Sequence, residues 1–302
     1  MKKLLVVCGA TASGKTALAV ECAKRLGGEI ISCDALLVYR GLNVGTAKPT
    51  EAERGGVPHY MIDVADPREK FSVSDFERMA IPVLEEILSR GKTPVLCGGT
   101  GFYMNALLYR SSFGCAPASE EIRAKYERIC AEKGREYLHA LLMEADPESA
   151  EKLHFNDVKR VVRALEIYEL TGKKKSEQND GNIPRYPFEA FAVSYPRETL
   201  YERIDRRVSD MLANGLEEEV RGLLAQGVPE DAQCMQGIGY KEVVECLKNG
   251  DSQSTMRDII AKNTRNYAKR QLTFFKRMEN LHELFPKSME EIVREVLKVY
   301  GN

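Results

Sequence analysis

Gly9, Ala10, Thr11, Ala12, Ser13, Gly14, Lys15 and Thr16 have the G-x-x-x-x-G-K-T spacing of a loop that holds phosphate. Its glycines let the backbone wrap closely round an anion, so that successive N–H groups and a helix N-terminus point at the oxygens. Lys15 adds a point charge, and the Thr16 hydroxyl is a ligand for Mg²⁺. The second residue suited to chemistry is Asp34, which follows the run Glu29 to Cys33. A carboxylate at the C-terminal end of a strand beside the phosphate-loop strand lies where open α/β sheets bind ligands, and there it serves as a general base. The competing reading of Asp34 is a side chain that caps its own loop. Enzymes that hydrolyse ATP or GTP usually end an apolar strand on an acidic residue. The candidates for that role are poor: Val95 to Cys97 runs into Gly98-Gly99-Thr100, Phe188 to Ser194 into Tyr195-Pro196, and Asp63 ends a short mixed run.

The elements that must position these residues follow from periodicity. Leu4 to Cys8 is an apolar strand, and Ala17, Leu18, Val20, Ala23 and Leu26 mark the helix behind the loop. Glu29–Cys33 and Thr93–Cys97 read as strands, Pro58–Asp63 as a short one, and Ser74–Arg90 as a helix with Phe76, Leu84 and Ile87 on one face. Strand, helix, strand at these lengths predicts a parallel sheet. Ser119 to Gly172 reads as helix without a strand, and Lys173 to Pro187 as a polar linker. Phe188–Ser194 reads as a strand rejoining the sheet, with helices beyond it and a late strand at Leu281–Phe285. The expected fold is α/β, a P-loop NTPase-like parallel sheet with helices on both faces and an inserted all-helical domain. Its expected parts are core residues 1–114, a helical insertion at 115–186 and a mostly helical second core part at 187–302.

Hydrophobic residues make up 43% and charged residues 29% of the 302, ordinary for a globular protein. No apolar run approaches the ~20 residues that span a membrane, and the apolar stretch after Met1-Lys2-Lys3 is too short for a signal peptide. The expectation is a cytoplasmic monomer. The eight cysteines include no C-x-x-C pair and read as free, mostly buried thiols. A net charge of −1 excludes a uniformly basic nucleic-acid coat but not local basic surfaces. Two helices carry them. Lys159, Arg160 and Arg163 lie off the apolar face of one, and Arg257 to Arg277 holds seven Lys/Arg against one Asp, 7 − 1 = +6. In the second, Ile260, Tyr267 and Phe274 recur every seven residues beside a basic stripe, the arrangement that a phosphate backbone needs; a solvated helix face is the plainer alternative.

Taken together, several blocks resemble the tRNA dimethylallyltransferase (tRNA isopentenyl transferase) family. Besides the phosphate loop they are Ile31–Asp34 with Val38–Gly41, Gly45–Pro49, Pro58-His59, Gly98–Tyr103, Asn156-Asp157 with Arg160, Arg163–Glu166, Thr171–Lys173, Arg203–Asp205, Gly237–Glu242, and Thr264-Arg265 with Ala268–Thr273. They run in family order over nearly the whole chain. The resemblance implies transfer of a dimethylallyl group from dimethylallyl diphosphate to N6 of the adenosine 3′-adjacent to the anticodon, nucleotide 37, with the phosphate loop gripping the diphosphate. It implies Asp34 as general base, Arg203 with Lys15 and Thr16-bound Mg²⁺ on the leaving group, and Thr100 in the catalytic set. At the tRNA anticodon stem-loop it implies Asp34, Ala35, Leu36, Leu37, Thr100, Arg123 and the segment Lys159, Arg160, Val161, Val162, Arg163. The chain departs from the family's Asp-Ser-x-Gln after the second strand, where it reads Asp34-Ala35-Leu36-Leu37, and has Ala10 for a usual Pro and Phe274 for a usual Trp. The first departure bears on how the target adenine is held.

Three other readings have distinct signatures. A prenyltransferase of free adenine nucleotides would accept AMP and need no helical insertion. A P-loop small-molecule kinase or NTPase would bind ATP and release or transfer phosphate. A silent RNA-binding protein would bind tRNA without transfer.

Overall fold

The computed structural model describes residues 3–110, 118–177 and 183–301. Cys115, the whole of the expected junction at Ser111–Pro117 and part of the polar linker lie outside the described residues. The elements of the larger unit are, in order, β1 (Leu4–Cys8), α1 (Lys15–Leu26), β2 (Gly28–Cys33), α2 (Glu51–Arg54), β3 (His59–Tyr60), α3 (Val73–Ser89), β4 (Thr93–Gly98) and α4 (Gly101–Leu108). The smaller unit follows with α5 (Glu120–Lys133), α6 (Arg135–Ala145), α7 (Pro147–Lys152) and α8 (Val158–Thr171). The larger unit resumes with β5 (Phe188–Val193), α9 (Arg197–Ala213), α10 (Leu216–Ala225), α11 (Tyr240–Asn249), α12 (Gln253–Phe275), β6 (Leu281–Leu284) and α13 (Met289–Tyr300).

The larger unit comprises residues 1–109 and 184–302, the smaller one 110–183. One six-stranded sheet runs β3-β2-β4-β1-β5-β6, and every pairing in it is parallel. Its central strands are buried on both faces, which is why they read as continuous apolar runs without alternation. The chain steps from β1 to β2 in one direction and from β3 back to β4 in the other. Right-handed crossovers then put α1 and α3 on opposite faces. On the α1 side, Leu5, Val7, Ile30, Val95 and Phe191 pack with Leu18, Cys22, Ile292 and Val296. Helices α3 and α4 lie against β2 and β4. The short strand expected at Pro58–Asp63 pairs only at His59 and Tyr60, because Met61 and Asp63 take left-handed backbone (φ 62° and 58°) and turn the chain off the sheet edge.

The smaller unit closes its own core, with Leu138 and Leu142 of α6 against Ala150, Val161, Val162 and Leu165. Asp146, fully buried, caps α7 through the Ser149 amide and accepts both the amide and the hydroxyl of Ser176.

Candidate active site

The phosphate loop leaves β1 at Gly9 with φ 129° and enters α1 through Gly14 with φ 85°, and Ala12 between them is also left-handed at 62°. Such a run of positive φ bends the backbone into a concavity lined by its own amides. Lys15 crosses the loop and donates to the Ala10 carbonyl at 3.3 Å. Loss of water depresses the Lys15 pKa, and Arg207 adds to this while Cys97 and Asp34 oppose it. Ser13 Oγ is buried with no hydrogen-bond partner among the described residues, an unused polar atom inside an anion-shaped cradle. Arg203 reaches the loop from α9, donating from Nε to the Ala12 carbonyl at 2.8 Å, with its guanidinium 4.6 Å from the Tyr195 ring centroid.

Asp34 lies just past the C-terminal end of β2. Its Oδ1 accepts from the amides of Leu36 (2.9 Å) and Leu37 (3.3 Å), so the loop-capping role is real. Its other oxygen takes no hydrogen bond among the described residues, and the side chain lines two cavities. The first, of about 360 Å³, is bounded also by Ala35, Leu36, Thr100, Arg207, Tyr267 and Arg270. The second, of about 60 Å³, is bounded also by Lys15, Thr16, Leu37, Cys97 and Arg207. A third, of about 580 Å³, opens over Gly14, Lys15 and Thr16 and again includes Arg207. The carboxylate therefore stands between a roomy chamber and the phosphate loop. Thr100 caps the chamber wall, its hydroxyl accepting the Ala35 amide at 3.0 Å. Burial and the Asp34 charge push the Tyr267 phenol up to about 12.

Two polar side chains carry this assembly. Glu219 of α10 accepts the amides of Asn43 and Val44 at 2.8 Å and of Gly45 at 3.1 Å, and the Tyr240 hydroxyl at 2.6 Å. It thereby fixes the loop whose Thr46 borders both cavities that contain Asp34. Buried Gln271 of α12 accepts the Thr11 amide at 2.8 Å and donates to the Gly99 carbonyl at 2.9 Å, joining the phosphate loop to the turn after β4.

The IPP transferase family model matches residues 37–278, most of the chain. The chain belongs to the tRNA dimethylallyltransferase family. A tRNA dimethylallyltransferase from Acetivibrio thermocellus is 46% identical over 285 residues, covering 93% of this chain and 91% of that protein. The crystal structure of the full-length tRNA isopentenylpyrophosphate transferase from Bacillus halodurans is 39% identical, with a TM-score of 0.75 over 100% of this chain and 96% of that one. A eukaryotic dimethylallyltransferase whose structures capture it acting on tRNA is 28% identical, with a TM-score of 0.83 over 96% of this chain and 75% of that one.

The structure gathers most of the residues that the family resemblance singles out in the larger unit. Gly9 to Thr16, Asp34 to Leu37, Thr100 and Arg203 converge at the C-terminal ends of β1, β2 and β4. The others belong to the smaller unit. There Arg123 donates to fully buried Glu166 at 2.9 Å, and Arg163 to the same carboxylate at 2.6 Å. Val161 and Val162, named with the tRNA segment, are core residues whose side chains face inward; they hold α8 in place while Lys159 and Arg160 stand exposed. Arg207 and Glu219 are absent from the expected site, and Gln271 enters the sequence reading only within the block Ala268–Thr273. Arg207 borders all three cavities and follows Arg203 by one helical turn, so the i, i+4 spacing was its available signal. No comparable signal marks Glu219.

Proposed function

We propose that this chain transfers the dimethylallyl group of dimethylallyl diphosphate to N6 of the adenosine 3′-adjacent to the anticodon in tRNA. The observation that carries the reading is the position of Asp34, which borders both the 360 Å³ chamber and the small cavity containing Lys15 and Thr16. The chamber volume falls within the roughly 300–1,000 Å³ of small-molecule sites and accepts a purine everted from its stack. Its lining combines apolar walls with Thr100, Arg207 and Arg270.

The diphosphate lies on the phosphate loop, against the amides, Lys15, Ser13 Oγ and Arg203. The N6 lone pair forms a bond to the allylic C1, the C1–O bond breaks, and its electron pair leaves with diphosphate. The N6 proton passes to the free oxygen of Asp34, while the capped oxygen keeps the carboxylate aimed. Lys15, Arg203 and Arg207 hold the charge that develops on the leaving group. The small cavity, of about 60 Å³, leaves room for few of the waters that would otherwise capture the allyl group.

The residues present suit Mg²⁺. Thr16 borders both cavities at the loop, and among the described residues no cluster of three acidic, His or Cys ligands competes for a different metal. Thr16 would hold the ion with diphosphate oxygens and water, and the ion would neutralise the leaving group. The test is to incubate the protein with dimethylallyl diphosphate, Mg²⁺ and an unmodified anticodon stem-loop, with AMP as the competing acceptor, and analyse the nucleosides. N6-dimethylallyladenosine in the stem-loop is expected; its absence there, or transfer to AMP alone, overturns the reading.

A further inference from the structure

Phe102 is 57% exposed, although burying such a ring is strongly favourable. It lies in the first turn of α4, two residues after Thr100, whose hydroxyl fixes Ala35 in the chamber wall. Its ring meets Phe274 edge-on, with centroids 6.0 Å apart. Phe274 is itself held in place. A Cβ on Gly101 would come within 2.2 Å of the Phe274 ring, so only glycine lets α12 press this closely on the start of α4. Phe274 lies one turn beyond Arg270 and two beyond Tyr267 on α12, and both of those residues line the chamber. The exposed ring thus stands beside the chamber on a rigid aromatic support. Exposed Lys269 and Arg270 lie on α12, with exposed Lys276 and Arg277 just past its end, a setting suited to a polyanion and poorly suited to an apolar protein face.

We propose that Phe102, backed by Phe274, is a stacking platform for an unpaired RNA base next to the adenosine that enters the chamber. A base offers a flat π-face whatever its identity, so a ring at this place grips the loop without reading its sequence. The inference rests on the tRNA reading above and deepens it. It assigns the purchase on the flanking nucleotide to an aromatic side chain of the core.

The test compares the parent protein with Phe102→Leu, Phe102→Ala and Phe102→Tyr in prenyl transfer to an anticodon stem-loop, and in binding of a stem-loop carrying 2-aminopurine beside the target adenosine. The Leu and Ala variants should raise the stem-loop KM about five- to a hundred-fold. They should leave kcat and the donor KM unchanged and lose the 2-aminopurine quenching, while Tyr restores both. A Leu variant equal to the parent overturns the platform, as does an equal rise in the donor KM, which would signal a distorted α4. The two readings separate cleanly. If the parent makes no prenylated product yet quenches 2-aminopurine in a Phe102-dependent way, the transfer reading fails and the platform stands.

Discussion

The Gln271 side chain is bonded at both ends, its Oε1 to the Thr11 amide and its Nε2 to the Gly99 carbonyl, so α12 is fastened to the phosphate loop through one buried amide. Replacing Gln271 with Glu keeps an acceptor for Thr11 and turns a carboxylate oxygen onto the Gly99 carbonyl. That leaves a buried acceptor unsatisfied and places like charges together. The expected cost is about 1–3 kcal/mol of stability, with a raised KM for dimethylallyl diphosphate. Denaturant unfolding and donor-dependence kinetics check it, and an unchanged donor KM would detach α12 from the loop's geometry.

Asp34 has two roles that two substitutions separate. Asn keeps Oδ1 for the Leu36 and Leu37 amides but removes the base. Ala removes both. Asp34→Asn should retain a near-parent fold and ligand affinity while transfer falls about 10²–10⁴-fold. Asp34→Ala should lose the turn as well and bind the stem-loop more weakly. Equal binding by both variants would mean that the cap does not shape the chamber.

Much of this site is legible in the sequence. The phosphate loop is a local spacing, and the strands that carry it are apolar because both sheet faces are covered, so Leu4–Cys8, Thr93–Cys97 and Phe188–Ser194 stand out in the sequence and match the observed strands to within one residue. Even the weak late strand at Leu281 proved to pair with β5. Glu219 and Gln271 were not readable as site supports, since an acidic residue in an amphipathic helix looks the same whether it meets water or three loop amides. Their partners lie far away along the chain, and periodicity carries no such information. The resemblance places Arg123 at the tRNA, while the residues alone fit a helix-surface arginine equally well; its bond to Glu166 shows a structural anchor that its sequence neighbourhood does not announce.

Lys15 sets a pH dependence. Its pKa is held below the ordinary 10.5, first by desolvation, so it gives up its proton at lower pH than a lysine in water. The protonated form attracts diphosphate, so affinity for inorganic diphosphate should fall as pH rises through that depressed pKa, before 10.5 is reached. Lys15→Arg, charged throughout, should flatten the curve while binding less well at neutral pH. Calorimetric titration from pH 7 to 10 measures both, and a parallel decline in the two proteins would move the effect to another group.

Glu166 gives the smaller unit an acid sensitivity of opposite sign. Burial pushes its pKa up, but hydrogen bonds from Arg163, the Ser119 amide and Arg123 outweigh this and hold it below the ordinary 4.5. The stabilisation is therefore complete above about 4.5 and is lost as pH falls through the depressed value. Glu166→Ala should cost about 1–3 kcal/mol at neutral pH by stranding the Ser119 amide and taking the shared acceptor from two partly exposed arginines, and Glu166→Gln less. Both variants should show a flatter decline in acid. Hydrogen exchange resolved to residues 118–177 reads this, and a parent-like acid profile in the Gln variant would count against it.

The strand order has a consequence for how the molecule is born. β1 leaves the ribosome early, yet one of its two neighbours, β5, is encoded only after the whole helical unit. The nascent phosphate loop must therefore wait on an unfinished sheet while the helical unit, whose contacts are local, is made and folds. Arg207 and Gln271 are made later still, so the anion cradle gains its full grip only after α12 has been made.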